Sequence, residues 1–132
     1  MLSHPLPRKP VVVAICVSVA ALHFVTGPHY RGPFRAFVTG YLIDLVLPFA
    51  MVLVLGIGAV HLKVAISPAV RGACVFLVGA TVEFLQFMGV PLFGRTFDPL
   101  DFLMYATGVI VGLGFERWAF STDPSVLQGP QP

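Results

Sequence analysis

Four stretches of this chain, residues 11–27, 38–60, 72–90 and 98–120, are almost wholly apolar. No other feature narrows the fold so far. A hydrocarbon layer about 30 Å thick is crossed by about 20 helical residues, and these blocks have that size. They are separated by short connections rich in Gly and Pro, such as PHYRGPFRAF over 28–37. A lipid-exposed strand leaves backbone groups unpaired, and so few segments cannot close a barrel, so each block is read as a helix. Composition points the same way. The chain is 57% hydrophobic and 11% charged, whereas a soluble domain is about a quarter charged.

The expected architecture is therefore all-α: a polytopic membrane protein with a four-transmembrane-helix antiparallel bundle over residues 11–120. Residues 1–10 and 121–132, polar and proline-bearing, are expected to be disordered tails. The first block also resembles a signal peptide, with Arg8 and Lys9 before it and SVAA inside it. No clear A-x-A site closes that run, so an uncleaved helix is expected. A formal net charge of +2 gives no basic patch suited to nucleic acid. Cys16 and Cys74 sit inside apolar blocks as small fillers. Neither CxxC, zinc spacing nor HExxH occurs, so the sequence assigns no metal, cofactor or catalytic residue.

Orientation follows from Lys and Arg. The N-terminal tail, the second loop and the C-terminal end hold Arg8, Lys9, Lys63, Arg71 and Arg117, while the first and third loops hold Arg31, Arg35 and Arg95. The positive-inside rule then places both termini in the cytoplasm.

The alternation of spans also sets the depth of each polar residue. Asp44 lies near the outer start of the second span. Glu83 and Gln86 lie near the outer end of the third, and Asp98 and Asp101 open the fourth. Arg31, Arg35 and Arg95 are loop residues on that same side. The cytoplasmic halves read VVVAICVS, VLVLGIGA, GACVFLVG and VIVGLGF, without charge. The expectation is a bundle dry at one end and polar at the other. Carboxylates inside a bilayer cost about 2.5–3.5 kcal/mol each on insertion scales, so these should face inward and find partners. The three outer arginines are the available cations, and a guanidinium fork suits a carboxylate. Pro48, four residues after Asp44, should leave that carbonyl without its helical donor.

Bland readings stand beside these. Asp98-Pro99-Leu100-Asp101 is a good helix start, with Asp98 as N-cap and Pro99 at the first helical position. Glu83 and Gln86 could reach an interface, and Arg31 and Arg35 could be simple loop charges near lipid phosphate. Gly108 and Gly112 form a GxxxG that serves either packing within the chain or a homo-oligomer contact.

Together, Glu83-Phe-Leu-Gln86, Gly94-Arg95, Phe97-Asp98-Pro-Leu-Asp101 and the Gly108/Gly112 pair resemble the VanZ-like family of small bacterial membrane proteins. The similarity spans residues 82–112, and Tyr105 stands where that family often has asparagine. A related family of small membrane proteins of unknown function shares similar signatures. The resemblance implies a bacterial cytoplasmic-membrane protein of the cell envelope, and one member of the family is linked to low-level teicoplanin resistance. It carries over Glu83, Gln86, Arg95, Asp98 and Asp101.

Three functions are open to such a chain. The first is a polar outer pocket for an anionic lipid or cell-wall precursor headgroup. The second is a structural or accessory subunit whose charges only lock the helix ends. The third is a small ion-coupled transporter subunit. In each case the lipid bilayer is the first partner. With no nucleophile–base pair visible, an enzyme is not favoured.

Overall fold

The computed structural model describes residues 7–27, 29–92 and 96–120. The elements there are α1 (Arg8–Val25), α2 (Arg35–Gly40), α3 (Leu42–His61), α4 (Pro68–Phe87) and α5 (Pro99–Phe120). Four of them, all but the short α2, are long and apolar enough to cross a membrane. Consecutive spans are joined by short links, giving the antiparallel four-helix bundle expected.

The helix boundaries differ from those of the apolar blocks. α1 begins at Arg8, not Val11, so Arg8, Lys9 and Pro10 belong to its first turn. A proline there removes only an N–H that would lack a helical partner anyway. α4 begins at Pro68, because Ser67 caps it by accepting the Val70 N–H at 3.3 Å and proline opens the first turn. Arg71 is thereby a helical residue and not a loop charge. Arg35 starts α2 inside the stretch expected as loop, after Phe34 in a left-handed conformation (φ 54°). Gly40, a poor helix former, ends α2, and Tyr41 separates it from α3. Pro48 is accommodated inside a continuous α3.

α3 is the central helix. It packs most extensively on α5, and also on α1, α4 and α2, while α4 packs on α5. Small residues let these helices approach. A Cβ at Gly108 would strike the Leu45 carbonyl oxygen of α3, and one at Gly112 would lie 3.1 Å from the Phe49 carbonyl oxygen. The GxxxG of α5 is thus buried against α3 within one chain, and a homo-oligomer would have to use another face. Gly72 does the same on α4, where a Cβ would meet Val109 and Leu113.

The interior consists of a layer of Val52, Val75 and Val109, and a second cluster of Val12, Leu53, Ala119 and Phe120. Much of the outer surface is apolar: Phe24 is 87% exposed and Trp118 76%, with Leu77, Phe84 and Ile110 also outward. An apolar surface of this extent suits lipid, not water.

Candidate functional site: two buried polar layers

The acidic residues converge as their alternation along the spans requires. α3 contributes Asp44 in its first turn, α4 contributes Glu83 one turn before its end, and α5 contributes Asp101 and Tyr105. Glu83 is only 2% exposed. The Tyr105 hydroxyl donates towards Glu83 Oε1 at 3.2 Å and lies 3.4 Å from Asp44 Oδ1, so one phenol bridges two helices. Its ring fits because Gly79, one turn before Glu83 on the same face of α4, has no side chain. A Cβ at Gly79 would come within 2.7 Å of the ring. Asp101 is close enough to Asp44 and Glu83 for the three carboxyls to interact.

Asp98 forms the rim of this layer. It caps α5, accepting the Leu100 N–H at 2.9 Å through Oδ1, as its place before Pro99 suggests. Its Oδ2 accepts from the Tyr41 hydroxyl at 2.7 Å, and its own N–H donates towards Glu83 Oε2 at 3.4 Å. The Leu100 N–H first, and the Tyr41 hydroxyl second, hold the Asp98 carboxyl below its usual range. The same contact with Asp98, helped by desolvation, pushes the Tyr41 phenol up.

The other expected members stand apart. Gln86 turns to the α4–α5 connection and donates to the Leu92 carbonyl at 2.8 Å. Arg31 and Arg35 are exposed at the same end of the bundle. Arg95 lies outside the described residues. Among the described residues the carboxylates of this layer have hydroxyl and backbone N–H partners, and the ion pairs are elsewhere. Nor do three or more Asp, Glu, His or Cys gather there as ligands for a metal ion, among the described residues. A cleft of about 360 Å³ lined by Gln86, Gly89, Val90 and Pro91 opens at this end.

The opposite end is not dry. Arg71 and Glu116, 7% and 9% exposed, are buried together with most of Arg8. Arg71 donates to both Glu116 oxygens, at 2.9 and 3.1 Å, and to the Val52 carbonyl at 3.4 Å. Arg8 pairs with Glu116 Oε1 from the other side and lays its guanidinium over the Phe120 ring, 5.4 Å from its centre. Gly56 supplies the space, since a Cβ there would collide with all three charged groups. The expectation of a charge-free half is therefore wrong. Arg71 falls just before the third apolar block and Glu116 just after VIVGLGF, and the helices carry both further inward than the blocks suggest.

Register sets the separation of the two layers. Asp44 and Gly56 are twelve residues apart on α3, as are Arg71 and Glu83 on α4. At 1.5 Å per residue this is about 18 Å, well inside a hydrocarbon layer of about 30 Å. The layer of Val52, Val75 and Val109 lies between them.

The fold defines a multi-pass α-helical membrane protein with two interior polar layers. No family model, curated protein or solved structure matches the chain.

Proposed function

We propose that this is a VanZ-like protein of the bacterial cell envelope. It sits in the cytoplasmic membrane with both termini inside, and its acidic end receives the polar headgroup of a lipid-linked cell-wall precursor. The observation that carries this reading is the delivery of Asp44, Glu83, Asp101 and Tyr105 from three helices to one depth, beneath a rim bearing Arg31 and Arg35. Carboxylates and a phenol suit the hydroxyl and amide groups of such a headgroup, while rim arginines suit its phosphates. Purified protein titrated with a polyprenyl diphosphate-linked sugar tests it. Asp101→Asn and Arg35→Ala should each weaken binding about tenfold, or about 1.4 kcal/mol. Unchanged affinity in folded variants rejects it. Reporter fusions in the α1–α3 and α3–α4 connections test the orientation, and should report opposite sides of the membrane.

One observation favours the structural alternative. Tyr105, Asp98 and Tyr41 already supply hydrogen bonds within the acidic layer. If Glu83→Gln lowers stability in detergent but leaves headgroup binding intact, that layer only fastens helix ends.

A further inference from the structure

At the end of the bundle opposite the proposed headgroup site, Arg8, Arg71 and Glu116 sum to one excess positive charge. Among the described residues that surplus has no second carboxylate within ion-pair distance. Arg8 is the more exposed of the two guanidiniums, its side chain 16% exposed against 8% for Arg71.

An apolar groove of about 620 Å³ begins beside this cluster. It is walled by Val11, Ile15, Val19 and Leu22 of α1, with Phe49 and Phe115 opposite. Val11 is one turn beyond Arg8 on the same face of α1, and Phe115 precedes Glu116. Rings connect the two regions, since Arg8 stacks on Phe120 and Phe120 packs edge-on against Phe115, 6.0 Å between centres. From Val11 to Leu22 the groove runs eleven residues along α1, or about 16 Å, more than half the hydrocarbon thickness. It exists because α1 packs substantially on α3 alone. Lys9, Lys63 and Arg117 are exposed around the same end.

We propose that the α1–α3–α5 groove and Arg8 at its end together form a binding site for one acidic phospholipid. An acyl chain occupies the groove, and the phosphate accepts from the part of the Arg8 guanidinium that reaches the surface, while Arg71 stays paired with Glu116. The occupant follows from complementarity: an apolar channel parallel to the helices ends at a surplus of cation, which is the pattern of a lipid with a negatively charged headgroup. This site belongs to the leaflet opposite the acidic layer and does not depend on what that layer binds.

The test is titration of the purified full chain in detergent with phosphatidylglycerol, with phosphatidylcholine of the same acyl chains, and with inorganic phosphate, read by native mass spectrometry and thermal shift. Phosphatidylglycerol should bind at least tenfold more tightly than phosphatidylcholine. Arg8→Gln, which keeps the neutral Arg71–Glu116 pair, should erase that preference. Ala14→Trp, which fills the groove from its exposed wall, should weaken both lipids about tenfold. Equal affinity for the two lipids in the unaltered protein overturns the proposal, as does an Arg8→Gln variant that keeps the preference. Inorganic phosphate binding as tightly as phosphatidylglycerol also overturns it, because the chain-binding groove would then have no part.

Discussion

The two polar layers solve the same problem by different chemistry. At one end a single carboxylate, Glu116, is held between two guanidiniums. At the other, several carboxyls are held by phenols and a backbone N–H. The first is a network of full charges in which each member depends on the others. The second is a network of hydrogen bonds whose donors are neutral. Both rely on a glycine in the facing helix, Gly56 for the ions and Gly79 for the tyrosine ring. The lesson is that burial alone does not say what a charged residue is for. Its partners decide how much it stabilises and what it leaves over for a ligand.

The sharpest way to break this comparison is to neutralise one glutamate at each end. Glu116→Gln leaves two buried guanidiniums facing one another without a counter-charge. It should destabilise the protein by about 3–5 kcal/mol, the range for removing one partner of a buried ion pair. Glu83→Gln keeps the shape and an acceptor oxygen for Tyr105, and should cost less than about 2 kcal/mol. Reversible unfolding in mixed detergent measures both. Equal losses would mean that Glu83 is bound to a cation as Glu116 is, and the contrast would fail.

How far the chain could be read before its structure follows the same division. The four spans were legible because each is a long apolar run, and the meeting of Asp44, Glu83 and Asp101 followed from alternation alone. The GxxxG seam was legible as a close approach, but not which helix it would face. The arginine layer was missed for a physical reason: an ion pair across helices leaves no mark within any one helix. Arg71 looked like a loop residue, although Ser67-Pro68 was a readable helix start four residues upstream. Glu116 lies just past the uncharged VIVGLGF run, and nothing in the sequence sets it against Arg71. Tyr105 stood out in the sequence only as replacing an asparagine of the similar family, and Gly79 four residues before Glu83 is the sign that a ring lies between them. Tyr41 offered no signal, because its role depends on the break between α2 and α3.

A middle-sized effect separates the glycines. Gly79→Ala places a methyl group against the Tyr105 ring, which cannot easily move while its hydroxyl is held, and should cost about 1–3 kcal/mol. Gly58→Ala, on α3 with nothing within 4 Å of the new methyl, should be neutral or stabilise by up to about 1 kcal/mol. The same unfolding measurement compares them. A neutral Gly79→Ala would show that the tyrosine does not occupy that slot. Tyr105→Phe should then cost about 1–2 kcal/mol by leaving its buried acceptor on Glu83 short of a donor.

The smallest effect concerns the rim. Asp98 titrates below its ordinary value in the folded chain because the Leu100 N–H and the Tyr41 hydroxyl favour its ionised form. A depressed carboxyl stabilises the fold above the unfolded value, about 3.9, and that contribution fades as pH falls through the folded value. Tyr41 runs the other way. Its phenol is raised, so its contribution is present below about pH 10 and fades as pH rises through the folded value. The Tyr41–Asp98 contact should therefore be complete across the neutral range and weaken at both extremes. Carboxyl carbon NMR of detergent-solubilised protein reads the acid limb directly. Tyr41→Phe should move the Asp98 midpoint only part of the way back to the ordinary value, because the Leu100 N–H is the larger cause and survives the substitution. A full return would show that the tyrosine, and not the helix cap, governs Asp98. The rim would then depend on the phenols to the same degree as the layer beneath it.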